Sequence, residues 1–561
     1  MNIIRISLNL KNVIIETEDY YLRRTLERYF IREDISYDIQ NKNFIVNINF
    51  YYKIRNESDI FSPFKISEDL MTDTLRKEKS KTLKYKKKII DEILKSGEDE
   101  LLLDYDKSST LDPHQKYAVE AASHPVIDGI CIFDEQGLGK TVEGIFSFDR
   151  LVETRLVNKV LILAPKSVLK EWEKDFNYFF KGKYKVKILS GNKHDKVETL
   201  NSDFDVILAN YESVNTVKLH LENVIRKSFN NFLMIVDESF YLKNKDAKRS
   251  KGVGYLRKFV KRCIVLCGTP APNNAKDIIE QISLADGGEA FMGKDNVESI
   301  EDIVSIVEEN ALYLRRTKEE VLNLPNRTIH KVICPMSIKQ KDIYSQYRNN
   351  LIREVSNIND EDFSKNKMNY LAKRSMLLQI CSNPKNKFDD YDETPAKHHA
   401  IDQLVQELVV KNNEKIIIWS FYKKSIEELL SRYDEYKPLR YDGTITSTKD
   451  RGEIINLFQN DPVQKILIAN PAAAGAGVTL HSSRIAIYES MSNQTAHFLQ
   501  SLDRIHRRGQ EREVEYFMLY CENSIEKRNL DTLLQKLDDS KKMLNDPDMD
   551  IISRESFINS I

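Results

Sequence analysis

The 561-residue chain has almost no net charge: 85 Lys and Arg stand against 86 Asp and Glu, a balance of −1. A protein coated in positive charge to hold a polyanion is thereby excluded, and any such surface must be a local patch. Cysteine is scarce, six residues with no C-x-x-C pair. Cys263 and Cys267 lie four apart in the strand-like "CIVLC", on one face but too far apart for a bridge or a ligand pair. The expectation is buried thiols in a reducing compartment. No apolar run approaches the length of a membrane span, and "MNIIRISLNLKNVIIE" lacks the layout of a secretion signal. There is neither an internal repeat nor a low-complexity tract.

What is present is ordinary globular composition, 41% hydrophobic and 30% charged, in a chain long enough for two to four domains. Residues 1–66 mix strand-like stretches with a helix-like one at Tyr20–Arg32 and predict a small α+β module. Residues 67–105 predict a basic helical connector. Eight of the thirteen residues from Arg76 to Lys88 are Lys or Arg, which is either a solvated helix face or a set of phosphate contacts. From residue 106, short apolar strands alternate with helical segments: "GICIF", "KVLILAP", "DVILAN", "FLMIVDE" and "CIVLCGTP". Alternation of this kind predicts a parallel α/β sheet. Residues 291–395 are charged and helical in pattern, with few strand signals. Strand–helix alternation then resumes over 396–535, in "KIIIWSF", "KILIAN", "RIAIYES" and "VEYFMLY", before a tail at 536–561.

The chemistry begins at "FDEQGLGKT", residues 133–141. A strand, a glycine-containing turn and an amphipathic helix are the setting of a phosphate-binding loop, in which backbone N–H groups at the helix start form an anion nest. Lys140 would supply charge to the β- and γ-phosphates of ATP, and the Thr141 hydroxyl would ligate Mg²⁺. The usual pattern requires glycine at position 134, and this chain has Asp134 there. Roughly a hundred residues on, "FLMIVDESF" places Asp237 and Glu238 just beyond an apolar strand. Asp237 could hold Mg²⁺ and Glu238 could orient the attacking water. Upstream, Gln115 in "LDPHQKYAV" is a candidate adenine reader, because a carboxamide matches N6 and N7 of adenine. In "QSLDRIHRRGQ", Arg504 and Arg507 are three apart, which predicts one face of a helix and a pair of charges able to reach a γ-phosphate. The plain alternative there is a basic solvated helix.

Taken in order, these motifs resemble the Swi/Snf-like branch of the superfamily-two helicase-related ATPases. The family loop reads D-E-x-G-L-G-K-T, matched by Asp134, Glu135, Gly137, Leu138, Gly139, Lys140 and Thr141, so the loop is intact in a version that begins with an acid. "LILAPKSVLKEW", the arginine-rich "LYLRRTKEEVLNLP", "LLQICSNP", "RYDGTITSTKDR" and "NPAAAGAGVTL" extend the match. The resemblance implies two RecA-like α/β lobes with a helical insert between them. ATP and Mg²⁺ would lie in the cleft, with Arg504 and Arg507 acting from the second lobe and Gln500 and Gly477 lining its facing surface. It implies a DNA-stimulated ATPase that translocates on double-stranded DNA, in the cytoplasm or nucleoid of a cell or as a viral protein in host cytoplasm. A strand-separating DNA or RNA helicase would use the same ATP site, and a degenerate scaffold would lack residues that are all present here. Neither a membrane nor a particular protein partner is implied.

Two departures stand out. The acidic box reads D-E-S-F where the family has D-E-x-H, so Phe240 replaces a histidine that normally links the ATP site to neighbouring motifs. Ala472 and Ala474 stand where the family's T-R-A-G-G stretch has Arg and Gly.

Overall fold

A computed structural model of the chain describes residues 3–9, 12–17, 36–38, 43–47, 65–68 and 70–561, apart from 229–230, 243, 245–246, 269, 271–275, 292–296, 298, 474–477, 492–494 and 540–553. Two compact units result, Met1–Arg316 and Thr317–Ile561.

Unit 1 begins with β1 (Ile3–Asn9), β2 (Asn12–Thr17), β3 (Ser36–Asp38), β4 (Asn43–Asn47) and β5 (Lys65–Glu68), ordered β3-β4-β2-β1-β5. The helix-like stretch expected at 20–32 lies outside the described residues. The connector is a 26-residue helix, α1 (Leu70–Lys95). Leu83, Lys86, Ile90 and Ile93 recur at three- or four-residue spacing and are buried, so α1 lays one stripe on the unit. The basic run is therefore divided by helix geometry. Lys86 points inward and pairs with Asp128, beside the first strand of the large sheet, and Lys87 is half-buried. Lys81, Lys84, Tyr85 and Lys88 face outward. Lys86 thus serves the fold and is not available to a phosphate backbone.

The main sheet of unit 1 contains β6 (Gly129–Ile132), β7 (Lys159–Leu163), β8 (Val186–Ile188), β9 (Val206–Ala209), β10 (Phe232–Asp237), β11 (Arg262–Leu266) and β12 (Tyr313–Leu314). Its order is β12-β6-β11-β10-β7-β9-β8, with every pair parallel. β6, β9, β10 and β11 are buried along their whole length, which is why they read as unbroken apolar runs instead of alternating ones. In a parallel sheet all C-terminal ends share one edge. Because β11 inserts between β6 and β10, the turns that follow these three strands become neighbours. That topology assembles the site.

Unit 2 contains β13 (Arg327–Cys334), β14 (Ile416–Trp419), β15 (Leu439–Tyr441), β16 (Ile466–Ala469), β17 (Ile485–Tyr488) and β18 (Val514–Cys521). The order is β13-β18-β17-β14-β16-β15, again all parallel. Two long helices, Ile338–Ser356 and Asp360–Ser382, precede β14. Their Tyr344, Leu351, Phe363 and Leu377 share a core with Ile416, Ile418 and Ile466 of the sheet. The stretch with few strand signals nevertheless carries β12 and β13. β13 is an edge strand of mostly half-exposed and exposed residues, so "RTIHKVIC" lacks the apolar density of an interior strand. All six cysteines are free and buried.

Candidate nucleotide site

The loop from β6 runs through Phe133–Gly139 into the helix α2 (Lys140–Glu153). Gly137 and Gly139 have φ of 89° and 87°, the left-handed region that favours glycine. At Gly139 a Cβ would also fall 2.3 Å from Nε2 of Gln115. The Lys140 ammonium is held inside its own loop, donating to the carbonyls of Asp134 at 2.8 Å and Glu135 at 3.2 Å. Thr141 follows in the first turn, half-buried. Gln115 lies beneath the loop on the helix Pro113–Ser123. Its Oε1 accepts from the Asp112 N–H at 3.0 Å and its Nε2 donates to the Leu138 carbonyl at 3.2 Å. His114 Nε2 contacts the same carbonyl at 2.8 Å.

The acid that opens the loop is directed to a cation. Asp134 Oδ1 accepts from the backbone N–H of Arg316 at 3.0 Å and from its Nε at 3.1 Å, and Oδ2 accepts from Nη2. The same guanidinium reaches Glu143 Oε1 at 3.3 Å and the His114 carbonyl. Asp134 and Glu143 are both fully buried. Burial, then the Asp134 charge, push the Glu143 carboxyl well above the usual carboxylate range. Asp134 therefore braces the loop from behind through its side chain and steadies Lys140 through its carbonyl.

Asp237 ends β10 and Glu238 follows it with φ of 53°. Asp237 Oδ2 accepts from the Trp172 indole N–H at 3.0 Å, and its carbonyl accepts from the Tyr211 hydroxyl. Burial, then the neighbouring Glu238, push Asp237 up to about 7, against the Trp172 hydrogen bond and the Lys140 charge. Glu238 Oε1 accepts from Gln136 Nε2 at 2.9 Å. Its Oε2 is buried with no partner among the described residues. The hydroxyl of Thr141 and the carboxylate of Asp237 are hard oxygen donors, few in number, and would leave positions for phosphate and water; this donor set fits Mg²⁺. A buried acid near neutrality is also one that a divalent cation readily deprotonates. The three-ligand cluster Cys381, Cys521 and Glu526 elsewhere is different. There the Lys397 ammonium, 2.6 Å from Glu526 Oε1, already neutralises the carboxylate.

Beyond the acids, Ser239 Oγ donates to Gln281 Oε1 at 2.6 Å, and Gln281 Nε2 donates to the carbonyls of Asp277 at 2.8 Å and of Pro270. The acidic box is thus tied to Pro270 through Ser239 and Gln281. Phe240 is stacked on Tyr241 with ring centroids 4.3 Å apart. Thr269 lies outside the described residues.

In unit 2, Gln500 is buried on the helix Thr495–Leu502. That helix stops before the arginines, which corrects the expectation of one helical face. Arg504 and Arg507 occupy the turns that follow, because Asp503 is drawn to Lys318 and the Arg504 carbonyl accepts from the Leu480 N–H at 3.0 Å. Arg504 is buried, its Nη1 donating to the Val478 carbonyl at 3.3 Å. Arg507 is half-buried, and its charge lies close enough to help burial lower His481. Gly477 and Ala474 lie outside the described residues.

Two family models match in chain order: the SNF2-related domain over residues 114–386 and the helicase conserved C-terminal domain over 397–509. The chain belongs to the Swi/Snf-like family of helicase-related ATPases. It is 26% identical to an uncharacterised ATP-dependent helicase of Mycoplasma genitalium, over 92% of this chain and 51% of that protein. It is 27% identical to an ISWI chromatin-remodeling complex ATPase of Saccharomyces cerevisiae, over 72% of this chain and 38% of that one. A probable ATP-dependent DNA helicase of Arabidopsis thaliana is 29% identical, over 73% and 41%. The chain therefore spans about half or less of the length of these Swi/Snf-like relatives.

Several residues of this Swi/Snf-like site have no signal of their own in the sequence. Gln136 and Gln281 are common residue types, and only the fold turns them toward Glu238 and Ser239; Trp172 ends the "LILAPKSVLKEW" run, which marks the residue but not its partner Asp237. Arg316 had a signal, the arginine-rich "LYLRRT" segment, but not its partner, which stands 182 residues upstream.

Proposed function

We propose that this chain is an ATP-driven motor that tracks along double-stranded DNA. The observation that carries the reading is the convergence on one sheet edge of Lys140, Asp237 and Glu238, the last with one carboxylate oxygen held and the other unpartnered. Lys140 binds the β- and γ-phosphates once it exchanges its loop carbonyls for phosphate oxygens. Thr141 and Asp237 would hold Mg²⁺, which when bound would neutralise phosphate charge. Glu238 orients the attacking water and accepts its proton. Gln115 reads adenine by the same exchange of internal hydrogen bonds. Arg504 and Arg507 stabilise charge in the transition state. The proposed compartment is the cytoplasm, in keeping with the free buried thiols. No described helix is long and apolar enough to cross a membrane.

Tracking is favoured over strand separation by the sheet of unit 2. A wedge that splits base pairs is commonly an antiparallel hairpin, and every strand pair among the described residues of unit 2 is parallel. Grip through phosphates makes movement sequence-independent and salt-sensitive. The test pairs two assays: ATP-driven displacement of a third strand from a triplex, and release of a strand from a forked duplex. The expected result is displacement with little release. Robust unwinding without displacement overturns the reading in favour of a helicase.

A further inference from the structure

Gln136 fills the variable position of the D-E-x-G-L-G-K-T loop, where residue type alone carries no message. In the folded chain it meets both turns that flank its own. Its Nε2 donates to Glu238 Oε1 at 2.9 Å. Its side chain also lies directly over Gly268, at the end of β11: a Cβ there would sit 2.6 Å from Cγ, 2.8 Å from Cδ and 2.9 Å from Nε2 of Gln136. Such separations are far inside van der Waals contact, so a side chain at position 268 would push the Gln136 amide aside. Glu238 is 3% exposed, carries a left-handed φ of 53°, and has Oε2 without a partner among the described residues. A carboxylate on a strained backbone, with one oxygen fixed and the other open, has its rotation set by the bond to that one oxygen. Phe240, stacked on Tyr241, offers no polar group for the task.

We infer that Gln136 is a positioning residue for hydrolysis: its amide fixes one oxygen of Glu238 and so aims the other at the attacking water, with Gly268 as the floor that lets it reach. The inference rests on the ATPase reading above. In that reaction the water oxygen bonds to the γ-phosphorus while the bond to the bridging oxygen breaks, ADP leaves with the electron pair, and Glu238 takes the water proton. Gln136 touches none of the reacting atoms. A carboxylate free to rotate is correctly aimed for only part of the time, so the loss falls on turnover and not on binding.

The test uses the full chain with duplex DNA. Gln136→Met keeps length and volume but cannot donate. A hydrogen bond to a charged group predicts a fall in kcat of about 10- to 100-fold. The KM for ATP and the affinity for a fluorescent ATP analogue, measured by direct titration, should stay within about twofold of wild type. Gly268→Ala should reproduce the loss, and in a Gln136→Ala background, where the space is vacated, it should add nothing. In single-turnover measurements, Gln136→Met combined with Glu238→Gln should be no slower than Glu238→Gln alone, because the first change acts only through the second residue. Wild-type turnover in Gln136→Met, a loss confined to analogue affinity, or losses that multiply in the double variant would each overturn the inference. Those results leave the parent reading standing as long as Glu238→Gln retains only a slow residual rate. A wild-type chain that does not hydrolyse ATP, or a Glu238→Gln chain as active as wild type, would overturn the parent reading instead.

Discussion

Replacing Arg316 with Met removes the one guanidinium shared by Asp134 and Glu143. Both acids are fully buried, and the substitution also leaves the His114 carbonyl without its Nη1 donor. Breaking a buried ion pair from one side costs about 3–5 kcal/mol, because the remaining charge cannot reach water. Against a total stability of about 5–15 kcal/mol, that is a large fraction. With a urea dependence of about 3 kcal/mol per molar, the midpoint should fall by about 1–1.7 M. The chain has two tryptophans, Trp172 in unit 1 and Trp419 in unit 2. A Trp419→Phe background therefore makes indole fluorescence report unit 1 alone. The penalty should also depend on pH. Glu143 already has a raised pKa in the fold, and losing Arg316 raises it further. The folded variant then binds a proton that the unfolded chain releases, so the deficit should shrink as pH falls and grow as it rises. Adding Asp134→Asn and Glu143→Gln to Arg316→Met should recover much of the loss, since no charge is then stranded. A midpoint shift equivalent to less than about 1 kcal/mol, or a triple variant weaker than the single, would refute the view that Arg316 neutralises this pair.

Lys140→Ala should weaken ATP binding in a direct titration, whereas Glu238→Gln should bind ATP normally and fail to hydrolyse it in a phosphate-release assay. Arg504→Ala and Arg507→Ala should each leave ATP affinity largely intact and lower turnover, by about 10³-fold for whichever acts on the γ-phosphate; a loss of affinity at constant kcat would assign a ground-state role. Changing Lys81, Lys84 and Lys88 to Gln should reduce the salt slope of DNA binding by up to about 0.9 per lost phosphate contact. Lys86→Met should leave that slope unchanged and lower the urea midpoint, because Lys86 is buried against Asp128.

Every interior strand of the two large sheets was legible as a short apolar run, because a strand buried on both faces needs apolar residues at consecutive positions. β12, β13 and β8 were not, being two residues long or half-exposed at a sheet edge. The basic run was legible as a helix but not in its use. Composition shows eight basic residues alike, while the helical period sends Lys86 into the fold and Lys84 and Lys88 outward. The three-residue spacing of the arginine pair suits a helix. Asp503 and the Leu480 N–H, both claimed by tertiary contacts, end the helix at Leu502 instead.

By itself the sequence determined the phosphate loop, the acidic pair and the order of the two α/β units. Each is a local device: an anion nest needs consecutive backbone N–H groups, and an acid at a strand end needs only the strand before it. Tertiary structure alone decided what surrounds them. Arg316 comes to Asp134, Trp172 to Asp237, and Gln136 to both Glu238 and Gly268. A parallel sheet brings the ends of β6, β11 and β10 side by side, although about a hundred residues of chain separate β6 from the other two. The sequence shows Gln136 and Trp172 but not what they hold, because each one's role is set by a partner that only folding brings within hydrogen-bonding distance.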